Sequence, residues 1–180
     1  IRKIDHAPED GRLAVQEVFY TIQGEGPFSG CPAVFIRLAG CHLACTFCDT
    51  EFESGIANRL TPDEVVQMVM LSTIGVPGRA QKLVVLTGGE PMRQATGALC
   101  ALLLQRGVEH IQIETAGNLW DDSLLDLINA DKVSLVCSPK TPRVHPMMAR
   151  HCRHFKYVVR DGDSHFVDGL PARPTQAHQR

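Results

Sequence analysis

Short β-branched apolar runs alternate along the chain with longer stretches whose apolar residues recur at helical spacing. Strands are predicted over residues 13–19 and 32–38, the second carrying Val34, Phe35 and Ile36. Residues 82–86, 110–113 and 133–136 are apolar runs too short for helices, and 155–159 reads as a further strand. Between them, helices are predicted over 61–71, 94–106 and 122–128. The first opens with Thr61 as N-cap, Pro62 at the first helical position and Glu64 three residues after the cap, a capping-box arrangement. The second stacks Leu99, Leu102 and Leu103 and closes at Gly107, a residue suited to the left-handed C′ position. The third follows an acidic cap. Residues from 161 onward are polar and read as loop.

Strands alternating with helices imply parallel β-α units joined by right-handed crossovers. The 180 residues suit one α/β domain over 1–180. A full eight-unit barrel needs at least about 200 residues, so the expected fold is a partial parallel β/α barrel or an open sheet. Residues able to do chemistry cluster just after the strands: Cys41, Cys45 and Cys48; Thr87 to Glu90; Glu114 and Thr115; Ser138 and Lys140. Parallel strands place their C-terminal ends on one rim, so these groups are expected to share one face.

Composition narrows the function. Hydrophobic residues are 44% and charged residues 21%, an ordinary globular balance. Lys+Arg 18 against Asp+Glu 20 gives a formal charge of −2, without the basic excess of a nucleic-acid coat. No run reaches the roughly 18 apolar residues of a membrane span. Seven cysteines, an odd count, do not read as a secreted disulfide framework, and no signal-peptide pattern is visible. Reduced thiols in the cytoplasm are the expectation.

Three of these thiols, Cys41, Cys45 and Cys48, form a C-x3-C-x2-C loop. Soft thiolates select zinc, copper(I) or iron–sulfur clusters. Three cysteines on a [4Fe–4S] cluster leave one iron open to a small molecule, with Leu43 and Phe47 shielding the cluster from water. A zinc site closed by His42, Asp49 or Cys31 is the alternative that spacing leaves open. Cys100, Cys137 and Cys152 read as small buried apolar residues, and His151 with His154 as surface. Upstream, Gln23 and Glu25 in a Gln-Gly-Glu-Gly turn are able to read a heterocycle edge or simply to form the turn. Arg37 has the fork to hold a carboxylate, or to make a salt bridge at its strand end.

The cysteine loop after an early strand resembles that of the radical S-adenosylmethionine (SAM) enzymes, and Thr87-Gly88-Gly89-Glu90-Pro91 resembles their second, glycine-rich motif. Bare glycine backbone suits close approach to a ligand. The ordered set is similar to one family in particular. Gln-Gly-Glu-Gly is followed by Phe-Ile-Arg-Leu-Ala-Gly-Cys and Cys-Thr-Phe-Cys-Asp-Thr, then by Thr-Gly-Gly-Glu-Pro, Ile-Glu-Thr-Ala-Gly and Ser-Pro-Lys. From Val15 to Lys140 this resembles the 7-carboxy-7-deazaguanine synthases.

That resemblance implies a partial β/α barrel of the radical SAM type. It also implies a lyase that contracts 6-carboxy-5,6,7,8-tetrahydropterin to 7-carboxy-7-deazaguanine with loss of ammonia, on the route to queuosine and related deazapurines. The implied cofactors are a [4Fe–4S] cluster on Cys41, Cys45 and Cys48, SAM, and Mg2+ on Thr50. Phe47, Cys48, Asp49, Gly89, Glu114, Ser138 and Lys140 would surround SAM. Ile22, Gln23, Gly24, Glu25 and Thr87 would line the pterin site, with Arg37 on its carboxylate, and Arg37 and Thr87 would be the catalytic residues. The implied partners are a flavodoxin-like electron donor and a second copy in a homodimer, with no direct nucleic-acid or membrane contact. The chain's end is expected to fall short of the segment with which members of this family close their substrate pocket. A small radical SAM activase acting on a partner protein's glycine is the rival that shares the cysteine loop without the Gln23, Arg37 and Thr50 set.

Overall fold

The computed structural model describes residues 10–48, 50, 58–74 and 82–158. Among the described residues, seven strands form one open, mixed sheet. In chain order they are β1 (Leu13–Ile22), β2 (Pro32–Leu38), β3 (Asn58–Leu60), β4 (Leu83–Gly88), β5 (His110–Thr115), β6 (Val133–Cys137) and β7 (His154–Phe155). Their spatial order is β3-β1-β2-β4-β5-β6-β7. The run from β2 through β4, β5, β6 and β7 is parallel throughout. Helices α1 (Pro62–Leu71), α2 (Gly97–Gln105), α3 (Leu125–Asn129) and α4 (Pro146–His151) fall between the strands.

The all-parallel expectation needs one correction. β1 pairs antiparallel with both β2 and β3. The connection over 23–31 explains it: a parallel crossover needs a dozen or more residues, and this link is shorter. β3 and α4 went unpredicted, although His145-Pro146 carries a start signal. Pro146 sits at the first position of α4, and the His145 ring accepts from the Met147 N–H at 3.2 Å.

The capping box of α1 forms as read. Thr61 N–H donates to Glu64 Oε2 at 2.7 Å, and Glu64 N–H donates to Thr61 Oγ1 at 3.3 Å. These bonds from Thr61 hold the Glu64 carboxyl below its ordinary range. The second helix starts later than predicted, at Gly97, because Gln94 is engaged elsewhere. Its side chain accepts from Ala14 N–H at 2.8 Å and donates to Ala39 O at 3.1 Å, pinning β1 to the exit of β2. Gly107 follows α2 with φ +95°, the left-handed stop its position called for.

Period-2 alternation divides the sheet into two faces. One face buries Val34, Ile36, Val84, Leu86, Ile111 and Ile113 against Val65 and Val69 of α1 and Leu99 and Leu103 of α2. Each such side chain contributes about 1.5–3 kcal/mol when fully buried. On the other face, Ala33, Leu83 and Val85 form a small cluster with Phe28 and Phe35. Above that cluster this second face turns polar, and the functional site lies there.

Candidate functional site

A cavity of about 1140 Å³ opens over the polar face. The sequence-predicted groups meet in it. Cys41, Cys45 and Cys48 line it from the loop after β2; Thr87 and Gly89 from the end of β4; Glu114 from β5; Ser138 and Lys140 from the loop after β6. The convergence of strand ends on one rim therefore holds. Ile22, Gln23, Gly24 and Glu25 also line the cavity, by a different route. They leave the far end of antiparallel β1 and fold back beneath the site, where Gly26 abuts Val136 and Gln112. Leu43, Phe47 and Thr50 complete the cysteine side. Asp49 lies outside the described residues.

Backbone contacts fix the root of the cysteine loop. Gly89 N–H donates to Leu38 O and Glu90 N–H to Gly40 O, both at 2.9 Å. A Cβ on Gly89 would stand 2.0 Å from Gly40 O, and one on Gly88, at φ +127°, 2.1 Å from Leu38 O. The close packing of the segment Leu38 to Cys41 is thus a second requirement for bare backbone at these glycines, beside the approach of a ligand. Glu90 does not face the cavity. Fully buried, it accepts from Met92 N–H at 3.0 Å, Thr115 Oγ1 at 2.7 Å and Ala116 N–H at 2.7 Å. It ties the end of β4 to the end of β5.

The thiols differ in exposure: Cys41 is buried, Cys45 half-buried and Cys48 exposed. Burial raises the Cys41 thiol above its ordinary value, opposed in part by Leu43 N–H, which donates to the sulfur at 3.5 Å. Bound metal would reverse that preference by stabilising the thiolate. Cys48 N–H donates to Cys45 O at 3.2 Å, so these two thiols sit on one tight turn. Among the described residues, no three His, Cys, Asp or Glu side chains gather closely enough for a single metal ion. Three soft donors along the lining of a large cavity fit a multi-metal cluster, whose thiolate ligands, each on a different iron, stand farther apart than the ligands of one ion. Cys100, Cys137 and Cys152 are buried as read, and burial pushes each thiol up.

Glu114 is a hydrogen-bonding hub of the lining. It accepts from Gln23 Nε2 at 3.0 Å, Thr87 Oγ1 at 3.1 Å and Gln112 Nε2 at 3.3 Å. One carboxylate thus orients two residues assigned to the pterin. Arg37 makes the salt bridge of its strand-end reading. Its Nε donates to Glu17 Oε1 at 2.6 Å, its guanidinium lies 5.6 Å from the Phe19 ring centroid, and it lines the cavity. Glu25 pairs with Lys156 on the far edge of the sheet. Lys140 donates to Ser138 O at 3.1 Å and to Ser138 Oγ, and its ammonium stands 5.9 Å from the Phe47 ring centroid. Burial, then the charge of Lys156, lowers its pKa.

Sequence reading missed several lining residues, among them Gln16, Glu17, Phe19, Thr21 and Phe35. The signal was available. Glu17 pairs with Arg37 and Phe19 with Phe35 across an antiparallel ladder, so once Arg37 is placed on the cavity face its partners follow.

Comparison with known proteins agrees with this arrangement. Residues 35–158 match the radical SAM superfamily. The chain is 48% identical over 171 residues to the 7-carboxy-7-deazaguanine synthase of Rhodospirillum rubrum, covering 94% of this chain and 68% of that protein. It is 47% identical over 130 residues to the synthase of Rickettsia prowazekii, covering 72% of this chain and 52% of that one. The chain therefore spans between about half and two thirds of these relatives' lengths. In structure it resembles the crystal structure of QueE from Escherichia coli, with a TM-score of 0.68 and 26% identity, covering 87% of this chain and 78% of that chain. A radical SAM protein carries a [4Fe–4S] cluster and binds SAM, which removes the zinc alternative. With its open mixed sheet, its cysteine loop and these relatives, the chain belongs to the 7-carboxy-7-deazaguanine synthase family of the radical SAM superfamily.

Proposed function

We propose that this protein contracts 6-carboxy-5,6,7,8-tetrahydropterin to 7-carboxy-7-deazaguanine with release of ammonia, as a cytoplasmic lyase serving queuosine and related deazapurine synthesis. The observation that carries the reading is one cavity lined both by three thiols and by the Gln23–Glu114–Thr87 array with Arg37. When bound, the cluster held by Cys41, Cys45 and Cys48, together with SAM, would supply radical hydrogen-abstraction chemistry.

The chain's own residues hold, orient and dry the site. Arg37, braced by Glu17, offers its remaining N–H donors to the substrate carboxylate. Gln23, with its amide fixed by Glu114, and Thr87 beside it present polar atoms to the heterocycle. Leu43 and Phe47 line the cavity beside the thiols and would cover a bound cluster. Phe47, Cys48, Asp49, Gly89, Glu114, Ser138 and Lys140 would surround SAM, and Thr50 would hold Mg2+. Arg37 and Thr87 act at the reacting substrate. A flavodoxin-like donor supplies the electron, and two copies assemble as a homodimer.

The test is anaerobic reconstitution of the full chain followed by incubation with the carboxypterin, SAM, reductant and Mg2+. The expected result is the deazaguanine with SAM regenerated. SAM cleavage by a cluster-loaded enzyme, without that product, would instead favour the activase reading. Arg37→Ala is expected to raise KM for the pterin more than the Kd for SAM; a defect confined to SAM would remove Arg37 from the substrate carboxylate.

A further inference from the structure

One set of contacts at the site is unused by the reaction just described. His42, immediately after Cys41, has its Nε2 3.2 Å from Asn118 Oδ1. Asn118 Nδ2 donates to Thr141 Oγ1 at 3.1 Å, and Thr141 Oγ1 donates to Arg143 O at 2.8 Å. The hydrogen-bond polarity is determined from the far end. Thr141 spends its proton on Arg143 O, so it must accept from the Asn118 amide. That turns Asn118 Oδ1 toward His42, so His42 Nε2 must carry a hydrogen. Three loops are joined in one line: the cysteine loop after β2, the loop after β5 and the loop after β6.

The anchor at the far end is firm. Ala116 N–H is held by buried Glu90 at 2.7 Å, and Gly117 O accepts from His145 N–H at 2.7 Å. Gly117 itself, at φ +80°, lies where a Cβ would stand 2.3 Å from Cys137 Sγ. Asn118 therefore projects from backbone clamped at the two residues before it, whereas His42 is exposed on the loop that carries the thiols.

We propose that His42 is a positioning residue. Through the His42–Asn118–Thr141 strap it fixes the first turn of the cysteine loop against the loops after β5 and β6, and so governs how firmly the cluster is retained. The proposal rests on the cluster-binding reading of Cys41, Cys45 and Cys48.

The experiment measures iron release to a ferrous chelator from the anaerobically reconstituted full chain, alongside iron and sulfide content and the electron paramagnetic resonance signal of the reduced cluster. His42→Leu is expected to release iron roughly three- to tenfold faster, the factor one net hydrogen bond is worth. His42→Gln places an N–H at nearly the reach of the imidazole Nε2 and should restore the wild-type rate. Asn118→Leu should match His42→Leu, and the double variant should be no faster than either, because both remove the same link.

A wild-type rate in His42→Leu, or no rescue by His42→Gln, would overturn the strap. Because His42 is exposed, the unfolding temperature of metal-free His42→Leu should fall by no more than the few degrees one hydrogen bond is worth; a larger fall would assign the residue to fold stability instead. If the wild-type chain itself took up no iron and sulfide, the cluster reading would fail first, and the strap with it.

Discussion

Gly89→Ala isolates the backbone role of the glycine-rich turn. The added methyl would stand 2.0 Å from Gly40 O, 2.5 Å from Gly40 C and 3.1 Å from Cys41 N. These are main-chain atoms, so no side chain can swing aside, and the end of β4 must separate from the segment leading into Cys41. Overpacking of this kind costs about 1–3 kcal/mol. The same movement stretches the bonds from Gly89 N–H to Leu38 O and from Glu90 N–H to Gly40 O, each worth about 0.5–1.5 kcal/mol. A loss of about 3 kcal/mol lowers the unfolding temperature of a chain this size by about 6–12 °C.

Thermal unfolding of the metal-free, reduced protein reads the effect without involving any ligand. Gly24→Ala is the matched control, since a Cβ there meets nothing within 4 Å, and it should move the transition by less than about 2 °C. Gly89→Ala should also lower iron per chain after reconstitution, because the displaced segment carries Cys41. An unfolding temperature for Gly89→Ala indistinguishable from that of Gly24→Ala would refute the steric argument. It would return the glycine to a purely ligand-facing role.

Glu90→Gln keeps the shape but sets an amide N–H2 against Ala116 N–H, and should cost about 2 kcal/mol, read as a lower urea midpoint with unchanged slope. Cys45→Ala should abolish cluster retention and SAM cleavage while leaving metal-free stability unchanged. Cys100→Ala, deep in the helix-side core, should keep the cluster and cost about 1 kcal/mol; equal loss of iron in both would mean that the ligands are misassigned. Burial holds the His110 pKa below its ordinary 6.5. The unfolded chain therefore binds the proton first as pH falls through that value, and stability should drop below it and recover above it. His110→Gln should flatten that slope in unfolding measured between pH 5 and 8; a slope equal to the wild type's would place its origin elsewhere.

Local signals in the sequence were read well where one short-range interaction decides the structure. The Thr61–Glu64 box and the Gly107 stop are of this kind, because the partners lie within a few residues. Signals failed where a distant partner decides. Gln94 reads as the first residue of a helix, yet its amide is engaged by Ala14 and Ala39, more than 50 residues away in sequence. Glu90 reads as one more polar group on the active rim, yet three donors draw it inward. The direction of β1 was hidden for another reason: a strand ending at residue 19 leaves a link long enough for a parallel crossover, and only its extension to Ile22 shortens the link to 23–31.

The strand residues explain why the site was more legible than the topology. On β5, Ile111 and Ile113 go to the helix-packed core, so Gln112 and Glu114 must take the opposite face. On β2, Ile36 and Leu38 fix Arg37 in the same way, and Leu86 fixes Thr87 on β4. Period-2 alternation therefore assigns the cavity-facing residues without knowledge of which strands are neighbours. Register then does what alternation cannot. Arg37 lies beside Thr87 across β2 and β4, and Glu17 lies opposite Arg37 across β1 and β2. A one-residue slip in either pairing would carry Thr87 or Glu17 into the apolar core. The hydrophobic face that stabilises the sheet is thus also what holds the polar groups at their working distances.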